Sequence, residues 1–474
     1  MSLAQIAQVT GGRVVNADPT IEVTAPAVID SREVQPGGLF VAFVGERADG
    51  HDFAAAAMAN GAAAVMGSRE TTAPTVVVDD VQIALGAVAR DVLERRRAGG
   101  SALRVLAVTG SQGKTSTKDL LAHVLAGKAP TVATAGSFNN EIGLPLTVLR
   151  TGPDTEFLLL EMGARGRGHI RDLCAIATPD VSVVLNVGRA HLGEFGSQEA
   201  IAAAKGELVE ALGVDGVAVL NADDAMVHAM AQRTQGRVVT FGQGGTADLR
   251  YTDVHLDDLG RPSLTLSTGE QSVRVAMGLV GAHHAVNAAA AAAAALAVGL
   301  DLASIGDALA QVRGLSKWRM ELTEPRPGLR LINDSYNANP DSMAAALQTL
   351  AEMGRRTGAR TIAVLGEMRE LGEASWTEHQ AVGELTRTLG IDTVVVVGEA
   401  AEGIASMCDS PRRAPDVDAA VAVVREDVGS AAAIVLVKAS RGAALDRVAA
   451  ALTEGFASGA NRPGDGTERR EGQA

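Results

Sequence analysis

Aromatic residues and cysteines are scarce in this chain of 474 residues, and both scarcities narrow what it can be. Only 3% of positions are Phe, Trp or Tyr, so the 47% of hydrophobic residues must build cores mainly from Ala, Val and Leu, which suits helices packed closely on parallel strands. Cys174 and Cys408 are the two cysteines; without short metal-type spacing they exclude a zinc pattern and read as ordinary thiols in a reducing compartment. Positive charge is in deficit as well. The 42 Lys and Arg stand against 56 Asp and Glu, a formal charge of −14, which argues against a nucleic-acid binder because neutralising phosphates needs a basic surface. No basic and apolar leader opens the chain, and its long apolar run, residues 288–298, is mostly alanine and too short for a bilayer. A cytoplasmic protein without membrane insertion, and a monomer, is expected.

What the chain does have is Val105-Leu106-Ala107-Val108-Thr109-Gly110-Ser111-Gln112-Gly113-Lys114-Thr115-Ser116-Thr117: an apolar strand, a tight glycine turn, then lysine and hydroxyls opening a helix. This reads as a phosphate cradle. The loop amides of Gly110, Ser111, Gln112 and Gly113 and the helix start at Lys114, Thr115 and Ser116 would face phosphate oxygens. Lys114 would reach the β and γ phosphates, and Thr115 would ligate Mg2+. The position five before Gly113 is Val108 rather than Gly, leaving the shorter form Thr-Gly-x-x-Gly-Lys-Thr. Asn221-Ala222-Asp223-Asp224 lacks the lysine of a guanine-reading motif, which disfavours a GTPase switch.

The length exceeds what one core serves, and three domains of an α/β protein are expected. Residues 1–100 hold short strands, such as 75–79, and an Ala-rich helix around 53–60, ending in a charged run at 94–101 that reads as a linker. Residues 101–318 alternate strands at 105–108, 157–160, 181–185 and 216–220 with helices, the pattern of a central P-loop domain with a parallel sheet. A Pro- and Gly-containing boundary at 314–328 leads into residues 319–457, whose strands at 329–332, 361–365, 393–397 and 433–437 are nearly continuous apolar runs, as in an open Rossmann-like α/β sheet. Residues 458–474 lack periodicity and are expected to form a disordered tail.

Several polar residues fall at strand ends, where ligands of α/β sheets gather. Glu161 follows an apolar strand and is a natural Mg2+ ligand beside the loop, although a lone carboxylate there is more often a cap; Thr115 as a partner tips the balance. His191 follows another strand and lies on the same rim. Lys205, in a helical context, reads on its own as a solvated lysine. Gly281-Ala282-His283-His284-Ala285-Val286-Asn287 opens an alanine-rich helix, where Asn287 is either a site residue or a local cap.

Together these motifs resemble the Mur ligase family, ATP-dependent amide-forming enzymes of peptidoglycan precursor synthesis. The resemblance covers nearly the whole chain. It comprises the short phosphate loop, Ser137-Phe138-Asn139-Asn140-Glu141-Ile142-Gly143-Leu144-Pro145, the Glu161 strand, the segment from Asn186 to His191, Ala204-Lys205, and Leu220-Asn221-Ala222-Asp223-Asp224. Asn333-Asp334-Ser335-Tyr336-Asn337-Ala338-Asn339-Pro340-Asp341-Ser342-Met343 and Leu365-Gly366-Glu367-Met368-Arg369-Glu370-Leu371-Gly372 look like the branch that joins D-alanyl-D-alanine to UDP-N-acetylmuramoyl-tripeptide. Asp30-Ser31-Arg32 and Asp49-Gly50-His51-Asp52-Phe53 resemble the part that holds the UDP-sugar.

The resemblance implies that ATP phosphorylates the tripeptide's terminal carboxylate and that the dipeptide's amine attacks the resulting acyl phosphate, giving UDP-MurNAc-pentapeptide, ADP and phosphate. By the same matching, Thr115 and Glu161 hold one Mg2+, while His191 and Lys205, carbamylated by CO2, help hold a second; Lys114, Lys205 and His191 are the catalytic set. Asn287, Arg319 and Asp334 contact the nucleotide, with Asn337 and Asn339 as further candidates. Ser31, Arg32, Asn139, Lys438, Ser440 and Arg441 contact the substrates, the last three near the reacting amine or acyl phosphate. Motifs spread over three domains imply closure of the outer domains on the central one. Two positions depart from the family's pattern: His284 replaces a common Asn, and Trp318 a common Gly before the arginine matched to Arg319. A sister ligase adding the third amino acid and a folylpolyglutamate-type ligase share the phosphate loop, but the Tyr-Asn-Ala-Asn-Pro string weighs against both. A non-catalytic nucleotide-binding module would need neither Glu161 nor Lys205.

Overall fold

The computed structural model describes residues 1–188 and 192–459. His191 and most of the tail expected at 458–474 lie outside the described residues; the last helix, Asp446–Gly459, runs just into that tail.

Three sheets carry the chain. The first contains β1 (Arg13–Val15), β2 (Ala27–Val28), β3 (Leu39–Ala42), β4 (Ala64–Gly67) and β5 (Thr75–Val77) in the order β1-β5-β4-β3-β2. The second contains β6 (Arg104–Thr109), β7 (Thr131–Ala133), β8 (Phe157–Glu161), β9 (Val181–Val184), β10 (Val217–Asn221), β11 (Arg237–Gly242), β12 (Leu249–Leu256), β13 (Pro262–Thr268) and β14 (Gln271–Ala276), in the order β14-β13-β12-β11-β10-β9-β6-β8-β7. The third contains β15 (Glu321–Arg326), β16 (Leu329–Asp334), β17 (Arg360–Leu365), β18 (Thr393–Val397), β19 (Arg412–Ala414) and β20 (Ala433–Lys438), in the order β15-β16-β20-β17-β18-β19. The ladders from β7 to β12 and from β16 to β19 that are bonded in register are parallel, while β13–β14 and β15–β16 are antiparallel. Parallel strands need helical crossovers on both faces, and β6, β8, β9 and β10 are accordingly buried almost throughout.

The charged run at 94–101 is not a linker. Its first part, residues 94–98, forms the last turn of an 18-residue helix, Val81–Ala98, opened by Asp80 accepting from the amides of Gln82 and Ile83. Its apolar residues Val81, Ala84, Leu85, Val88 and Leu93 recur at helical spacing and are buried, which leaves the arginines for the other face and the final turn. Arg96 donates to the carbonyls of Gly152 and Thr155, so this helix end is bonded to the region of the second sheet. The alanine-rich helix His284–Ala297 is buried nearly all round, its small side chains letting it lie close on the phosphate-loop helix, Lys114–Ala126.

The chain divides into two compact units: Met1–Val254, Ser263–Met277 and His283–Ser316 form the first, while His255–Pro262, Gly278–Ala282 and the chain from Lys317 form the second. Contiguous boundaries at 101–318 and 319–457 miss the two short segments that the second unit takes from the middle of the chain.

Candidate active site

Strand register sets the first cluster. Val108 of β6 pairs with Glu161 of β8, and Thr109 with Val184 of β9, so the phosphate loop, Glu161 and the segment from Leu185 emerge side by side at the strands' C-terminal ends. Gly113 takes φ +80 as the helix begins, and a Cβ there would stand 2.6 Å from Asn287 Oδ1. The loop is thus packed at the limit that glycine allows.

Two loop amides do not point where the sequence suggests. Ser111 and Gln112 both donate their N–H to Asn186 Oδ1, each at 3.0 Å, and the Ser111 hydroxyl accepts from Gly188 N–H at 2.8 Å. Asn186, two residues past β9, takes both amides on its side-chain oxygen, so they stabilise the loop itself. Gly113 then leads into the first helical turn at Lys114, Thr115 and Ser116. Lys114 Nζ donates to the Gly110 carbonyl at 2.6 Å, folded over its own loop. Nothing in the sequence separates Asn186 from its neighbours.

Glu161 is 1% exposed, and its two oxygens accept from the Thr115 hydroxyl at 2.8 Å and from Asn139 Nδ2 at 2.7 Å. Both donors are neutral. A buried carboxylate with only neutral partners is poised for a cation, and an oxygen pair from a hydroxyl and a carboxylate suits Mg2+, which keeps waters and substrate phosphates as its other ligands. Among the described residues no three His, Cys, Asp or Glu cluster as a complete metal cage.

In the sequence Lys118 resembles any helical lysine. One turn beyond the loop, it is 2% exposed, bonded to the Thr134 and Gly136 carbonyls at 2.7 and 3.1 Å and paired with Asp119 at 2.6 Å. Thr134 in turn accepts from Glu161 N–H, and Gly136 precedes the segment that carries Asn139. Lys118 therefore anchors both flanks of the Glu161 cluster.

Lys205, on the helix Gln198–Glu210, is buried rather than solvated. Burial first, and the like charge of Lys114 second, push its pKa well below the usual lysine range. His284 is likewise buried, and desolvation with the neighbouring His283 pushes it well below the usual imidazole range. Asn287 Nδ2 and His284 Nδ1 are buried without a hydrogen-bond partner among the described residues; the helix opens after His283 with no side-chain cap and Asn287 lies inside it, so Asn287 is not its cap. Its Oδ1 lies beside Gly113, and its unpaired Nδ2 is a donor that a nucleotide could take.

A second cluster lies in the other unit. Asp334 ends β16 opposite Lys438 at the end of β20, and their side chains pair at 2.5 Å while Lys438 also donates to the Asn337 carbonyl at 2.9 Å. Ser440 Oγ accepts from Arg369 N–H at 3.0 Å. Arg319 stacks on the Tyr336 ring and Arg441 on Trp318. Asn339 serves as a helix cap, its Oδ1 accepting from Ser342 N–H in a reciprocal capping box, and Asn337 Oδ1 accepts from Ala338 N–H; both carbonyls are committed locally.

Ser31 and Arg32 follow β2 in the first sheet. Ser31 is buried, while the exposed Arg32 is held in a fork by Asp30. His51 is buried and fixed in one tautomer, with Nδ1 against Asp49 at 2.6 Å and Nε2 accepting from Ser68 N–H at 3.0 Å.

Three regions match family domains in order: "Mur ligase family, catalytic domain" over residues 27–109, "Mur ligase middle domain" over 108–295, and "Mur ligase, glutamate ligase domain" over 318–441. The UDP-N-acetylmuramoyl-tripeptide--D-alanyl-D-alanine ligase of Mycobacterium tuberculosis (strain ATCC 25618 / H37Rv) is 42% identical over 98% of this chain and 99% of its own length. The Escherichia coli (strain K12) protein of that name is 36% identical over 96% and 98%. MurF from Acinetobacter baumannii superposes with a TM-score of 0.85 at 31% identity, covering 96% of this chain and 98% of its own. MurF ligase from Thermotoga maritima, solved in complex with ADP, gives 0.78 at 32%, covering 92% and 99%. With three family domains in sequence and such identities along almost its entire length, the chain belongs to the Mur ligase family and is of the MurF type.

Proposed function

We propose that the protein is the ATP-dependent ligase that joins D-alanyl-D-alanine to UDP-N-acetylmuramoyl-tripeptide, completing the pentapeptide precursor of the cell wall. The observation that carries the ligase chemistry is the buried Thr115–Glu161 pair at the lip of the phosphate loop; the substrate pair is supported by the names of the full-length relatives.

The residues divide the work as follows. Gly113, the first helical turn and Lys114 bind and orient the ATP phosphates, and Asn287, Arg319 and Asp334 are assigned to the nucleotide. Thr115 and Glu161 would hold one Mg2+, and Lys205 with His191 a second, the ions supplying positive charge against the phosphates. Burial first and the charge of Lys114 second disfavour the Lys205 ammonium; the free amine would attack CO2 and lose a proton to become a carbamate, an anion that the charge of Lys114 favours. Asn139, Ser31 and Arg32 are assigned to the UDP-tripeptide, and Lys438, Ser440 and Arg441 to the dipeptide and the acyl phosphate it attacks. Nitrogen–carbon bond formation then releases phosphate, so each turnover consumes one ATP and yields ADP. A monomer acting in the cytoplasm completes the reading.

Purified protein incubated with ATP, Mg2+, D-Ala-D-Ala and either the meso-diaminopimelate or the L-lysine UDP-tripeptide is expected to give a product heavier by the dipeptide less one water, read by mass spectrometry. No pentapeptide from either tripeptide would overturn the proposal.

A further inference from the structure

Two guanidinium groups of the second unit rest on aromatic rings, and the adjacent residues Trp318 and Arg319 each belong to one of the pairs. Arg319 lies 4.3 Å from the centroid of Tyr336, and Arg441 lies 4.1 Å from that of Trp318. Trp318 and Met320 have φ of +60 and +51, a left-handed conformation that a bulky residue keeps only where its surroundings over-determine it. The surroundings do so here. The Trp318 carbonyl accepts from Tyr336 N–H at 3.1 Å, and Met320 N–H donates to Asp334 Oδ1 at 3.2 Å. Residues 318–320 are thereby bonded to the turn after β16, whose Asp334 also pairs with Lys438. Glycine would take this backbone freely. The chain instead spends strain on a tryptophan whose indole face meets one arginine.

We propose that Trp318 is a positioning residue that seats Arg441 for an anionic group of the substrates. The indole covers one face of the guanidinium, and Asp446 Oδ1 takes an edge at 2.6 Å. Arginine has five N–H donors in a planar fork, so these two contacts fix its plane and leave other donors for a carboxylate or acyl phosphate. The inference rests on the assignment of residues 438–441 to the dipeptide and the acyl phosphate.

The chain has two tryptophans, Trp318 and the half-exposed Trp376, so Trp376→Phe makes Trp318 the single indole fluorophore. In that background, without any ligand, Arg441→Ala is expected to change the emission of Trp318; an unchanged spectrum overturns the stack. Trp318→Gly suits the backbone and should retain the urea midpoint. It is expected to lower kcat/KM for D-Ala-D-Ala about tenfold, the size of a partly desolvated cation–π contact, with KM for ATP unchanged. A rise in KM for the dipeptide assigns Arg441 to its carboxylate, and a fall in kcat alone assigns it to the acyl phosphate. Trp318→Phe should restore most of the loss, and Trp318→Gly should add nothing once Arg441 is alanine. Additive losses, or wild-type kinetics in Trp318→Gly, overturn the inference, whereas failure of the ligase assignment shows separately as no pentapeptide from the wild-type protein.

Discussion

A lysine amine in water holds its proton at neutral pH, whereas Lys205, buried and under the charge of Lys114, is disposed to give it up. That disposition is what carbamate formation needs, since only the free amine attacks CO2. If Lys205 is carbamylated as proposed, Lys205→Ala is expected to abolish most ligation, with partial rescue by acetate or formate in the assay; full activity without rescue would refute the carbamate. His284 makes a stability prediction of definite sign. Its folded pKa is depressed by burial, so below about pH 6.5 the unfolded chain takes up a proton that the folded chain refuses. Stability is therefore full above that pH and falls as the solution is acidified. Between pH 7.5 and 5.5 this one group should cost on the order of 1 kcal/mol, and His284→Asn should flatten the loss, as read from urea midpoints at the two pH values.

At the scale of the element, the strand–loop–helix unit from β6 to Ala126 joins binding to architecture. Gly113→Ala would put a methyl group 2.6 Å from Asn287 Oδ1 in a left-handed backbone. A loss of about 1–3 kcal/mol in stability, together with weaker binding of a non-hydrolysable ATP analogue by calorimetry, is expected; unchanged affinity would place the nucleotide elsewhere. Lys118→Met keeps the volume but strands two carbonyls and Asp119, whose other oxygen accepts from Ser316 N–H and Oγ at 2.8 Å each. Removing one partner of a buried ion pair costs about 3–5 kcal/mol, a difference that urea denaturation would register. The strand and loop were legible from their apolar run and glycine spacing. Lys118 was not, because a helix shows which residues share a face but not which face another element covers.

For the whole molecule, the assignment of residues 255–262 and 278–282 to the second unit has a consequence for its stability. Val280 is buried in that unit's core, Gly260 lies against Met353, and Arg330 donates to the Asp258 carbonyl at 3.0 Å. A fragment of residues 317–459 lacks these contacts and should melt at a lower temperature than the same unit in the full chain, by calorimetry; equal melting would mean the borrowed segments contribute nothing. No helix among the described residues is long and apolar enough to cross a membrane. The sequence by itself determined the α/β class, the phosphate loop and the family, because alternation, glycine spacing and strand-end polar residues are local patterns. It misread 94–101 as a linker, since a run of arginines looks the same at a solvated helix end as in a tether. Tertiary structure alone decided that Asn186 occupies two loop amides, that Lys118 and Lys205 are buried, and that Trp318 carries Arg441. Each of these depends on groups distant in sequence, and burial, which sets both the cost of a charge and its pKa, is a property of what the rest of the chain places around a residue.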